Sequence, residues 1–305
     1  MNESMYKYMK VGLIYFMAYP TTIKGENNED ILSAIKKVAC DEYFNAIEIT
    51  WIKDEVTRRK AKKMLETSHM AIGYGGQPRL LTTGYNINDL DEEKRQVALE
   101  TLKQGIDEAY EMNAQGFAFL AGKYEEETKE ESYKQLVAST KSLCEYAKAK
   151  GDMKIILEVF DFDVDKKSLI GPVILAKRYA EEITAEYENF GLMVDLSHLP
   201  LVRETAQEAI LPIKDYIVHA HMGNAVCKDK SMVAYGDAHP RFGFPNGEND
   251  VEELAAYLRI LMEIGFLNEN NPPIVSFEVK PWDDEDPDIV VANAKRTLNE
   301  AWAKL

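Results

Sequence analysis

The chain has 305 residues, 46% of them hydrophobic and 29% charged, and carries a formal net charge of −16. That is material for one large α/β barrel or two modest domains. The acidic balance argues against a nucleic-acid partner and against an anionic membrane surface, since both need clustered Lys and Arg, and a neutral or metal-chelated substrate fits it better.

Cys40, Cys144 and Cys227 are scattered with no CxxC pair. They suggest neither a disulfide framework nor a thiolate zinc site, and a reducing cytoplasm is the expected location. Residues 1–10 carry charge but no signal-type apolar core followed by a small-residue cleavage site. The apolar run at 13–19 is far shorter than the ~20 residues of a membrane span.

In chain order, the apolar run VGLIYFM at 11–17, ended by Tyr19 and Pro20, predicts a first strand, and a helix follows at 29–41. AIEITW at 46–51 begins a second unit with a charged helix at 54–67. A third strand at 70–74 runs into GGQPR at 75–79, and this long polar loop lasts until a helix near Asp91. Loops of that length usually carry function. The helix at 91–112 keeps Val97, Leu99, Leu102, Ile106 and Ala109 at mostly three- and four-residue spacing.

GFAFLA at 116–121 reads as the fourth strand, followed by a helix at 129–150 that Gly151 is placed to stop. The fifth strand is at 155–159 with a helix at 176–188, the sixth at 192–196 and the seventh at 217–221. A helix at 251–264, a strand at 273–279 and a helix at 288–304 complete the chain. Eight short strands alternating with helices, with no linker rich in Pro, Gly or Ser, predict a single-domain (β/α)8 TIM barrel over 1–305. A doubly wound open sheet is the alternative, but no GxGxxG opens any of the helices.

In such a barrel the carboxyl ends of the strands form the active-site face. Four strand ends carry metal-ligand residue types. By period two, Ile156 and Glu158 share a face, as do Met193 and Asp195, His219 and His221, and Ser276 and Glu278. Glu158, Asp195, His221 and Glu278 then converge at one rim, where three ionised carboxylates need a cation. An oxygen-rich set with one imidazole suits Mn2+ or Mg2+ by hardness, with Co2+ or Zn2+ accommodated by the nitrogen. His219, one pleat deeper, fits a hydrogen-bonded supporting role.

This pattern resembles the xylose-isomerase-like TIM-barrel superfamily of sugar isomerases, epimerases and endonuclease-IV-type barrels, over essentially the whole chain. The resemblance implies that Glu158, Asp195, His221 and Glu278 are metal ligands and that His198, in the DLSH of strand six, contacts substrate. HMGNAV at 221–226, YGDAHPRFG at 235–243 and GEND at 247–250 further resemble the alpha, or large, subunit of bacterial C-glycoside deglycosidases. Epimerases of the superfamily often place an Arg six residues after the metal-binding His. Here that position is Cys227, and His239 with Arg241 are the candidates to replace it.

Such a site supports proton removal next to a sugar carbonyl, the step that isomerisation and elimination share. Glu158 and Glu278 are the candidate acid and base in an isomerase or epimerase, and His198 or His239 is the candidate to move the proton at the opened bond. The deglycosidase resemblance implies, as the leading expectation, a lyase that cleaves a 3-oxo-C-glycoside and pairs with a smaller beta subunit, with a sugar isomerase or epimerase as the alternative. Glu48, Trp51, Gln77, Arg79 and Lys123 are candidate substrate contacts at strand ends or in rim loops. The acidic run at 283–286 reads as a solvated loop. Two other readings are weaker. An inactive scaffold barrel would be marked by a lost ligand, and an endonuclease needs a histidine-rich site and basic surface, at odds with five histidines and this acidity.

Overall fold

Residues 3–305 are described in the computed structural model; the first two residues of the charged stretch at 1–10 lie outside them. Eight parallel strands come from eight short apolar runs: β1 (Lys10–Leu13), β2 (Ala46–Ile49), β3 (Ala71–Gly75), β4 (Gly116–Leu120), β5 (Lys154–Glu158), β6 (Phe190–Asp195), β7 (Ile217–Gly223) and β8 (Ile274–Glu278). Their order is β1-β8-β7-β6-β5-β4-β3-β2, and a parallel bridge between Ile14 and Glu48 joins β1 to β2 and closes the ring. The result is a (β/α)8 barrel. Outward strand residues such as Phe117, Phe119, Leu157 and Leu192 are fully buried in the main hydrophobic core, while Ala118, Ile156 and Met193 form a small separate cluster.

The helices start where acidic side chains satisfy free N–H groups. Asp54 accepts from Thr57 N, Asp91 from Glu93 N and Lys94 N, and Asp286 from Asp288 N and Ile289 N, while Asp250 and Glu253 form a capping box. The expected run at 11–17 divides in two, since only Lys10–Leu13 pairs in register with β8 and Tyr15–Ala18 turns into a short helix. An apolar run that short carries no period to separate the two forms. Val97 is 47% exposed, so the buried stripe of the helix Glu92–Glu111 runs through Leu99, Leu102, Ile106 and Ala109 without it. The polar loop after β3 contains a short helix, Gln77–Leu81, with Pro78 in its first turn. After β6 there is no long helix: His198–Val202, Ala206–Ile210 and a 3-10 segment, Leu211–Tyr216, make the return. No helix among the described residues is long and apolar enough to cross a membrane.

Arg79, a candidate substrate contact by sequence, braces the wall instead. Its Nη2 lies 2.7 Å from Glu108 Oε2 and 3.0 Å from the Tyr74 hydroxyl, and Glu108 Oε1 accepts from Ile52 N at 2.7 Å. Burial pushes the Glu108 carboxyl above its usual range, against the pull of Arg79. Removing the guanidinium leaves that carboxyl buried without its partner. Arg79→Ala is therefore expected to lower unfolding free energy by ~3–5 kcal/mol, measured by urea denaturation; an unchanged midpoint would contradict this assignment.

Candidate metal centre and active-site cleft

Register brings the chemistry together. Asp195 pairs with His221 and His221 with Ser276 across β6, β7 and β8, so their inward side chains rise at the same rim. Glu158 and Glu278 are the last residues of β5 and β8. Ligand atoms of Glu158, Asp195, His221 and Glu278 all lie within 4.8 Å of one another.

Glu158, Asp195 and His221 are each held by one atom and left free at another. Glu158 Oε2 accepts from Gln77 Nε2 at 2.7 Å, and Asp195 Oδ1 accepts from Ser197 N at 2.6 Å. His221 Nε2 donates to Glu48 at 3.1 Å and 3.2 Å. Glu158 Oε1, Asp195 Oδ2 and His221 Nδ1 remain buried with no hydrogen-bond partner. His221 Nδ1 lies 2.8 Å from Glu278 Oε2, out of line for a hydrogen bond. Burial raises the Asp195 carboxyl above its usual range, with the charge of Glu278 adding to it. Three orphaned donors and a nearby carboxylate, converging inside the barrel mouth, fit a divalent cation of hard or borderline character.

Beside this set lies a second cluster that the long segment after β7 delivers. Asn224 Oδ1 accepts from Ala225 N and Asn249 N, and Asn249 Nδ2 donates to the carbonyls of Leu196 and Gly223, which clasps both ends of that segment to the barrel. Within it, Asp237 Oδ1 lies 3.1 Å from His198 Nε2 and 2.8 Å from His239 Nε2, and Asp237 Oδ2 lies 3.1 Å from Lys166 Nζ. Burial alone would raise the Asp237 carboxyl, but Lys166 and the two histidines hold it well below the usual range. His239 sits at φ 49°, a left-handed conformation costly for a side chain with a Cβ. Burial opposes its charge, yet Glu278 and Asp237 raise it to about 9. Gly223 lets the loop approach, since a Cβ there would stand 2.9 Å from Glu278 O and 3.2 Å from His239 Nδ1.

The sequence profile of one family, described as xylose isomerase-like TIM barrel, matches residues 38–295. The chain belongs to that family. No curated protein sequence matches it. Among solved structures, a D-psicose 3-epimerase from Clostridium cellulolyticum superposes with a TM-score of 0.72 at 17% identity, covering 97% of this chain and 99% of that one. A 3-keto-D-glucoside 4-epimerase, YcjR, from E. coli gives 0.67 at 18% over 97% and 99%. The IolI protein with a bound zinc atom gives 0.73 at 16% over 97% and 99%. These are likenesses of fold.

In this xylose isomerase-like barrel a cleft of about 340 Å3 opens above the four donors, lined by Glu158, His221, Glu278, Gln77, His239, Asp237, Lys166 and Lys280 on its polar side. Other residues singled out by sequence lie elsewhere. His198 stands behind Asp237, where Nδ1 donates to Val159 O at 2.8 Å and Nε2 meets Asp237, so neither ring nitrogen is free to contact a substrate as expected. Arg241 Nε holds Glu285 Oε1 at 2.7 Å and its Nη1 holds Gly243 O at 3.0 Å, which stabilises the loop, and its side chain does not line the cleft. Glu285 and the cap Asp286 thereby give the acidic run at 283–286 structural roles. Trp51 Nε1 donates to Ile23 O at 3.0 Å and its ring lines a separate outer groove with Arg58 and Glu111. Lys123 presents its backbone carbonyl to Asn86 and Asn88, outside the cleft.

Sequence reasoning did not single out Asp237 or Lys166. The only signal was Asp237 two residues before His239, the spacing that also relates His219 to His221. The site makes a direct prediction: replacing Asp195 or Glu278 by Ala removes a donor and lowers bound divalent metal, read by elemental analysis of purified protein. Full metal content in both variants would contradict the four-donor set.

Proposed function

We propose that the protein is a metal-dependent enzyme of the sugar epimerase and isomerase class, moving a proton at the carbon beside a sugar carbonyl. The observation that carries this reading is the pair Glu158 and Glu278, placed at one cleft with orphaned donors between them. Glu158, Asp195, His221 and Glu278 would hold the cation, with manganese the best match to three carboxylates and one imidazole. When bound, the cation supplies a Lewis acid for the sugar oxygens and offsets charge that develops on the carbonyl.

The chain's own residues do the rest. The Glu278 carboxylate reaches the cleft and is placed to take the proton from carbon, while Glu158, fixed through Oε2 by Gln77, faces the cleft as the complementary proton donor. His239, which lines the cleft, is placed to donate to substrate oxygen, and Asp237 keeps its ring in place. The apolar wall of Phe16, Met17, Pro20 and Ile23 excludes water from one side.

That wall also favours a second reading, in which the substrate is a 3-oxo-glycoside with an apolar aglycone. The same proton removal is then followed by breaking of the bond from C1 to the aglycone carbon, with the electron pair and a proton going to that carbon. The motifs at 221–226 and 235–243 support this deglycosidase reading, with a smaller, separately encoded subunit as partner. Purified metal-loaded protein, alone and with a co-expressed partner, is to be assayed against ketoses and a 3-oxo-C-glucoside. Ketose interconversion by the chain alone is the expected result. Aglycone release only with the partner would replace it by the second reading. His239→Ala is expected to keep its metal and lose turnover by roughly 10²–10⁴-fold, the usual range for a positioned proton donor; normal turnover in that variant would remove His239 from the mechanism.

A further inference from the structure

Glu48 is 2% exposed at the barrel axis, and nothing in the cleft chemistry above uses it. Its carboxylate is shared. Oε1 accepts from His219 Nε2 at 2.7 Å and from His221 Nε2 at 3.1 Å, and Oε2 lies 3.2 Å from the same His221 nitrogen. A neutral imidazole that donates from Nε2 has its lone pair on Nδ1. In His221 that atom is the one left without a partner and aimed at Glu158, Asp195 and Glu278.

Space for the arrangement is built into the neighbouring strand. Gly73 pairs with Glu48 between β2 and β3, and a Cβ at Gly73 would stand 2.9 Å from Glu48 Cγ and 3.3 Å from its Cδ. Any larger residue there displaces the carboxylate. His219 fixes the same oxygen from one pleat below, so the carboxylate cannot swing away from His221 without losing that bond.

We propose that Glu48 is the positioning residue of the metal centre, selecting the His221 tautomer whose Nδ1 faces the cation while His219 and Gly73 hold the carboxylate in place. The inference rests on the metal-centre reading above. A carboxylate behind a metal-bound histidine raises ligand basicity and fixes ring orientation, and its loss typically costs 10–100-fold in metal affinity.

The test is metal binding by chelator-stripped full-length protein, titrated with Mn2+ and followed by calorimetry, for wild type, Glu48→Ala, Glu48→Gln and Gly73→Ala. Glu48→Ala is expected to weaken binding by roughly 10–100-fold. Glu48→Gln keeps an acceptor for one Nε2–H and should fall between it and wild type, and Gly73→Ala should lose affinity through displacement alone. Nitrogen NMR of labelled histidine in the chelator-stripped protein, at a pH high enough for the ring to carry a single proton, should show the wild-type His221 ring protonated at Nε2 and the Glu48→Ala ring as a mixture of tautomers, a change that a merely structural role does not produce. If Glu48→Ala fails to fold, Glu48→Gln and Gly73→Ala carry the comparison. Unchanged affinity in the folded variants overturns the proposal while leaving the metal centre standing. Two equivalents in wild type falling to one in Glu48→Ala also overturns it, since Glu48, His219 and His221 would then be ligands of a second ion. No binding by wild type overturns both readings.

Discussion

The structure turns on three acidic side chains, Glu158, Asp195 and Glu278, held within 4.8 Å of one another and of the His221 ring at the mouth of a barrel. Burying like charges at that separation is unfavourable unless protons or a cation neutralise them. Every surrounding group narrows the choice towards a cation. Gln77 and the Ser197 amide occupy one oxygen each of Glu158 and Asp195, and Glu48 occupies the far nitrogen of His221, so the free atoms are those that face inward.

A second layer of charge surrounds the first and touches it through His239. Asp237 collects His198, His239 and Lys166, and His239 also reaches the metal donors, with its Nε2 3.4 Å from Glu278 Oε1. Lys280 stands outside the Asp237 group. It lines the cleft with its ammonium 4.1 Å from the Trp282 ring, and burial together with Lys166 lowers its pKa. The segment after β7 supplies Asp237 and His239, and the Asn224 and Asn249 clasp transmits the rigidity of β6 and β7 to it.

The barrel was legible because strand and helix periods alternate and because acids cap the helices. The donor set was legible because a period of two places alternate strand residues on one face, so four chain-distant side chains could be assigned to one rim. What periodicity cannot give is the destination of side chains in loops. Arg241, Trp51 and Lys123 have residue types suited to sugar contacts, yet the first two bond to Glu285 and the Ile23 carbonyl and none of the three lines the cleft. The family resemblance implied that His198 contacts substrate, but the short helix it begins turns its ring towards Val159 O. Asp237 was not singled out and Glu48 was singled out only as a candidate substrate contact, since their roles exist only once chain-distant histidines meet them.

The central claim is proton exchange at carbon beside a sugar carbonyl, and solvent deuterium measures it without requiring the natural substrate. Metal-loaded protein would be incubated in deuterated buffer with D-psicose, D-tagatose and a 3-oxo-glucoside, and the carbon-bound protons followed by NMR before and after chelation. The account predicts deuterium at a carbon adjacent to the carbonyl of at least one of these sugars, lost on chelation and restored by metal. Metal-loaded protein that leaves every such proton in place would contradict it.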